Sequence, residues 1–375
     1  MTTPWGARLL PLLILDRSEH SQDVRSEFVF LPTATHLGPE VGKIAALMSE
    51  TNSLGSTPHA LPFRLAQGAL GATMVLLLFG GLVTTIGAGM AVAGWIDAEG
   101  HFLPLFPFAK WFRDIPTFAE HTHRMVGVVV GLLLIAMVIA TFVKDCRLSA
   151  RAFAIAALLA TVGQGVVGGT RVLENSQNLA FLHGALAQAV FCLIWCTTLF
   201  LMPSYQRGGT STPAAASRLI SVGSTVTVII YGQIILGAWF RHSIRHATTM
   251  PSTGETVFPM GAFIAHAMGA VIVAGAVLVL AKSVRVAWES STDEIMRRIL
   301  QRQEKWLHLC FGMQFLLGLG SLSTLGLERT AIPVVILTTL HVLFGALTLS
   351  AAAGSSLWGR RLEVEKPDSS LPSAA

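Results

Sequence analysis

Eight apolar runs divide the chain, separated by polar or charged connections. They cover about residues 65–94, 118–143, 152–170, 179–202, 218–240, 261–281, 306–327 and 332–357. Each is near the roughly 20 residues that a bilayer core demands of a helix. The pattern predicts an all-α polytopic membrane protein with eight transmembrane helices. Upstream, residues 1–62 are polar with scattered Pro, Ser, Thr and His, and the apolar stretch 9–15 is too short to span. They are expected to form a poorly ordered cytoplasmic extension. The ordinary polar sequence after Met48 suggests the hypothesis that translation starts there; an N-terminal mass that includes residue 1 would overturn it.

Composition agrees with the runs. The chain is 52% hydrophobic and 13% charged, against about 25% charged in soluble proteins. The net charge of +5 does not point to nucleic acid, because the basic residues lie between apolar runs. Counted by side, 14 Lys and Arg alternate with 6 on the other face. The positive-inside rule then puts both termini in the cytoplasm of a cell (inner) membrane protein. Four cysteines, Cys146, Cys192, Cys196 and Cys310, form neither a CxxC nor an outer-loop pair. Neither a disulfide framework nor a zinc site is indicated, and Cys192 and Cys196, on one helix face, read as small core residues.

The runs repeat in kind. Odd spans carry small residues and amides: Gly80-Gly81, Gln164 with Gly168-Gly169, Gln233 with Gly237, Gln314 with Gly318. Even spans carry histidines: His123, His183, His266 and His341. Small residues let helix backbones approach closely. The economical architecture is two tandem, pseudo-symmetric four-helix bundles, residues 63–205 and 206–358, followed by a cytoplasmic tail, 359–375.

The four histidines lie 21, 24, 16 and 19 residues before the next basic boundary. At about 1.5 Å per residue that is roughly 24–36 Å from the inner edge, so all stand at comparable depth in the outer half. The repeat pairs His123 with His183 and His266 with His341. Two facing imidazoles in a four-helix bundle suit a haem iron. For any single histidine, a buried imidazole bonded to a neighbouring helix is an equal alternative; four at matched positions argue against coincidence. Propionates would need cations, for which Arg124, Arg171 and Arg241 stand at suitable depth. Arg171 and Arg241 read equally well as interfacial anchors. His242 and His246 fall with Arg241 and Arg245 in an expected outer loop, His308 near the cytoplasmic end of span 7, and His121 about 100° around the helix from Glu120.

Glu120 is one turn from His123, and ionisable groups in a membrane helix are read as functional by default. Its alternative is a capping box, Thr117-x-x-Glu120, at the helix start. The matching position in the second half is the apolar Phe263. That asymmetry suggests that one half does chemistry and the other stores or passes electrons.

Glu120-His121-Thr122-His123-Arg124 matches the ExxHR motif of the haem A synthase family, and the segment Gly80 to Val92 with Trp95 resembles that family's first span. The resemblance covers about residues 65–355. It implies oxidation of the C8 methyl of haem O to a formyl group, giving haem A for cytochrome oxidase. It further implies haem O between His123 and His183, and a haem b cofactor between His266 and His341. Glu120 would be the catalytic residue over the porphyrin, stabilising a cationic intermediate or positioning water. Implied partners are a haem O synthase (protohaem farnesyltransferase), a membrane electron acceptor such as a quinone, and the cytochrome oxidase assembly machinery; a homo-oligomer is compatible with this. The chain departs from the pattern in lacking an outer-loop cysteine pair and the proline after Trp95. The competing expectations are a di-haem b-type electron-transfer protein and a haem carrier, neither of which would need Glu120.

Overall fold

A computed structural model describes residues 60–145, 147–245 and 257–364. Cys146, His246, Met48 with nearly all of the N-terminal extension, and most of the C-terminal tail lie outside the described residues. Eight long helices account for the apolar runs: α1 (Ala60–Ile86), α2 (Ile115–Lys144), α3 (Leu148–Leu173), α4 (Gln177–Leu201), α5 (Pro213–Arg245), α6 (Met260–Glu289), α7 (Glu294–Ser323) and α8 (Ile332–Gly359). All eight are long and apolar enough to cross a membrane. Large apolar side chains such as Leu132, Val143, Leu159, Val228, Val271 and Leu316 are exposed along them. In a bilayer those faces meet lipid, which costs nothing.

The helix ends follow from local chemistry. Asp114, Ser176 and Asp293 cap α2, α4 and α7 by accepting hydrogen bonds from free N–H groups of the first turn. Pro116 and Pro333 occupy first turns, where no N–H is missed. Three expectations are corrected here. Span 1 does not run to residue 94: α1 ends at Ile86, because Gly87 adopts φ +77° and the Ala88 N–H returns to the Val83 carbonyl, closing a Schellman turn. The capping box is absent, because Asp114 takes the Thr117 N–H at 2.7 Å and Glu120 turns elsewhere. Span 5 is also longer than its apolar run, so Arg241 and His242 stand on α5 rather than in a loop.

The helices pack as two rings. In the first, α1 neighbours α2 and α4, and α3 neighbours α2 and α4; in the second, α5 neighbours α6 and α8, and α7 neighbours α6 and α8. These neighbours fit the tandem arrangement. The seam runs between α1, α4, α5 and α8, and a buried cluster of Leu77, Phe191, Cys310, Leu343, Ala346 and Leu347 belongs to both sides of it. Cys192, Cys196 and Cys310 are buried free thiols.

Each end of the molecule has its own closure. At one end, β1 (Gly209–Ser211) and β2 (Leu362–Val364) pair in parallel, and Arg361 donates to the carbonyls of Tyr205 and Gln206. At the other, the segment from Gly87 to Asp114 folds over the ends of α2 and α3. Its hairpin turns through Glu99 and Gly100, both at positive φ, and pairs Ala98 with His101. We call this segment the lid.

Candidate functional site

His123 and His183 face each other with ring centres 6.4 Å apart and planes at 82°. His266 and His341 repeat this at 6.4 Å and 88°. A ring nitrogen lies about 1.1 Å from its ring centre and a metal–imidazole bond is about 2.0 Å, so rings sharing one metal stand about 6.3 Å apart. Both pairs have the spacing that a shared iron requires.

The same device stands behind every ring. A Cβ added at Gly80 would lie 3.0 Å from Cε1 of His123; at Gly168, 2.7 Å from that of His183; at Gly237, 2.7 Å from that of His266; and at Gly318, 3.0 Å from that of His341. Each glycine belongs to the odd helix preceding its histidine's helix, and its missing side chain admits the imidazole against the backbone. Nδ1 then meets a carbonyl four residues earlier: Leu76 for His123 at 3.1 Å, Gln164 for His183 at 3.2 Å and Gln314 for His341 at 3.1 Å. Nδ1 of His266 is 3.0 Å from the Gln233 amide nitrogen. A ring that donates Nδ1–H to a carbonyl keeps its Nε2 lone pair for a metal. The donor set of the first half therefore fits haem iron, and the second pair fits it by its ring spacing. Gln314 also approaches Nε2 of His341, at 3.2 Å.

Glu120 is buried at 2% exposure. One carboxylate oxygen accepts the Val92 N–H at 2.9 Å, and the other pairs with Arg124 at 2.8 Å. Arg124 also donates to the carbonyls of Val92 and Gly94, each at 2.7 Å. Nη2 of Arg171 donates to the Gly89 carbonyl, and the Trp95 indole lies on Gly169, where a side chain would collide with it. Glu120, Arg124 and Arg171 thus fasten the lid over the His123–His183 pair. A lone charge here would be costly to bury; the carboxylate and guanidinium are paired and further hydrogen-bonded.

Around this core the other residues separate. Arg171 lines a cleft of about 140 Å³ of mixed polar and apolar surface, with Thr84, Met90, Ser176, Gln177 and His242. Arg241 crosses the seam to the Gly81 carbonyl and the Thr85 hydroxyl of α1, at 3.1 and 2.7 Å. His121 is buried between Phe106 and Trp111, and neither ring nitrogen has a partner among the described residues. His308 bonds the Glu304 carbonyl of its own helix. In the second half, Phe263 takes the place of Glu120 and packs with Phe240 and Phe258, and the Phe240 ring stacks on His266.

The lid's anchoring and the glycine backing were not apparent from the sequence as such. The glycines were visible, but not their one-to-one assignment to histidines.

Residues 65–352 match the COX15-CtaA family, described as cytochrome oxidase assembly protein. The chain belongs to this family. Among its relatives are proteins named haem A synthase. One from Exiguobacterium sibiricum is 32% identical over 45% of this chain and 55% of its own length. One from another Exiguobacterium is 23% identical over 73% of this chain and 87% of its own. A third, from Symbiobacterium thermophilum, is 28% identical over 62% and 75%. The family match spans both histidine pairs and all eight long helices except the first turn of α1 and the last turns of α8.

Proposed function

We propose that this multi-pass membrane protein is a haem A synthase. It oxidises the C8 methyl of haem O to a formyl group, and the haem A so made serves cytochrome oxidase assembly. The observation that carries the reading is the pair of iron-spaced imidazole clamps, of which, among the described residues, the first has a buried carboxylate beside it and the second has Phe263 in that place. Haem O is assigned to His123 and His183, and a resident haem b to His266 and His341. Bound haems supply the redox chemistry.

The chain's part is placement and electrostatics. Glu120, one turn beyond His123, is a fixed carboxylate in a dry site, and a preorganised charge there acts more strongly than in water. It stabilises positive charge developing at the methyl carbon or orients the attacking water. The lid excludes bulk solvent. Arg171, facing the cleft, and Arg241, at the seam, are the cations proposed for the propionates. Arg124, bonded to Glu120 and the lid, balances the carboxylate.

By the distribution of Lys and Arg, the lid end faces outward and both termini face the cytoplasm of the cell (inner) membrane. Haem O synthase is the proposed supplier, and a membrane electron acceptor of the quinone class the proposed sink. The assignment of halves is tested by haem content. Purified protein is expected to hold about two haems per chain. His266→Ala should remove the resident haem b, and His123→Ala should weaken only the other. Loss of the same haem in both variants would refute the division.

A further inference from the structure

The apolar side chains of the lid fall into two sets. Val92, Ala98 and Phe106 are buried over the site, where Glu120, Arg124 and Arg171 hold the lid backbone. Phe102, Leu105, Phe108 and Phe112 are instead between 54% and 75% exposed. They come from two short turns of helix, Leu103–Leu105 and Phe108–Trp111, and the residues beside them. Single exposed apolar residues need no explanation, but a cluster of large ones marks a surface that meets another apolar phase.

The exposed rings continue a surface already described. The ring centres of Phe108 and Phe112 are 5.0 Å apart. Phe112 lies 5.3 Å from Phe118 on α2, and Phe118 lies 6.0 Å from Phe79 on α1. Phe118 stands 11, 14 and 25 residues before Val129, Leu132 and Val143. At about 3.6 residues per turn these are nearly whole turns, so the four share one face of α2. The last three are exposed and meet lipid in a bilayer. The lid's rings thus extend the lipid-facing stripe of α2 beyond the start of that helix.

A polar margin runs beside the rings. Lys110 and Arg113 pair with Glu99, and the Trp111 indole N–H donates to the Thr122 hydroxyl at 3.0 Å. Aromatic rings edged by tryptophan, lysine and arginine are the composition of a membrane–water boundary. There the long stems lie on apolar surface while the charged heads reach water.

We propose that the exposed face of the lid is a membrane-docking surface, seated among the acyl chains of the leaflet at that end, and that lipid helps to hold the lid closed. The occupant is lipid because the patch runs without a break into a helix face that lies in lipid. The lid then has two kinds of anchor: hydrogen bonds to Glu120, Arg124 and Arg171 on the inside, and hydrocarbon on the outside.

The test places a nitroxide at Leu105→Cys or Phe108→Cys, in the full chain with its own four cysteines replaced by alanine, in phosphatidylcholine nanodiscs. A label at Glu174→Cys, an exposed residue between α3 and α4 at the same end, is the aqueous reference. Oxygen concentrates in hydrocarbon and a nickel chelate in water. The labels at 105 and 108 are expected to show a higher ratio of oxygen to chelate accessibility than the label at 174. A ratio equal to that at 174 would overturn the proposal, because the face then stands in water. Labels reached by neither reagent would overturn it too, because protein, this chain's own or a second copy's, then covers the face. Leu105→Ser tests the same point with the native cysteines in place. Its side chain is 75% exposed, so the substitution loses little packing within the protein. Hydrogen-exchange protection across residues 95–113 is expected to fall about fivefold or more in nanodiscs, from the loss of apolar surface seated in lipid. Unchanged protection would overturn the holding role.

Discussion

An imidazole in a membrane helix becomes a ligand only when one nitrogen is occupied, the other is free, and the ring cannot turn away. In this protein glycine makes that possible. With no Cβ at Gly237, the α5 backbone meets the His266 ring, and an added methyl would sit 2.7 Å from Cε1. Gly237→Ala must push the ring off its axis, an overpacking cost of about 1–3 kcal/mol. It is expected to release the haem of the second half while the first half keeps its own. Gly232→Ala on the same helix, with open space at its Cβ, should release neither. Haem-to-protein ratios of the two variants check this. The histidines were legible in the sequence because polar side chains are rare in such helices. Their glycines were hidden among 35, and only the packing of α5 on α6 singles out Gly237. Glu120 was legible as exceptional, but its role as a lid anchor was not, because its partner is the Val92 backbone N–H, 28 residues away.

At the scale of elements, the lid is where pattern and structure part. Residues 87–96 are almost wholly apolar and continue the first run without a break, so hydropathy extends the helix through them. Gly87 ends it, and the apolar residues cover a site instead of crossing lipid: Val92 and Ala98 are fully buried, packed with Phe106. Beyond them, Glu99 pairs with Lys110 and Arg113 at 3.2 and 3.0 Å. Burial acts to raise the Glu99 pKa, but its hydrogen bonds and charge pairing with Lys110 and Arg113 outweigh it and hold the group below its ordinary value of 4.5. A depressed pKa stabilises the folded lid above pH 4.5, and that contribution is lost as pH falls through the lowered value. Hydrogen-exchange protection across residues 95–113, corrected for the intrinsic pH dependence of exchange, should therefore fall on acidification below pH 4.5. Glu99→Gln should exchange faster at neutral pH and respond less to acid. An equal acid response in both would contradict the pairing. Helix ends deviated for a related reason: α7 begins at Glu294, well before its apolar run, because Asp293 caps a polar helix that the Arg285–Glu304 pair ties to α6.

For the whole molecule, one device is used four times and then varied twice. The repeat of small residues, amides and histidines was readable along the chain, and the neighbours of the eight helices fit the two bundles it suggested. The variations are Glu120 against Phe263 and Leu76 against the glutamines. The first was visible by counting from the histidines. The second needed the packing, since a leucine in a membrane helix draws no notice. On the proposed function, the first would separate a half that converts haem from a half that holds it. The most direct measurement is mass-detected chromatography of the haems extracted after co-expression with a haem O synthase. The unaltered chain is predicted to yield haem A or its hydroxylated precursor. Glu120→Gln is predicted to retain both haems while yielding neither product. Haem O and haem B alone, extracted from an unaltered chain that is folded and fully loaded, would contradict the synthase assignment and leave a protein that carries haem or passes electrons.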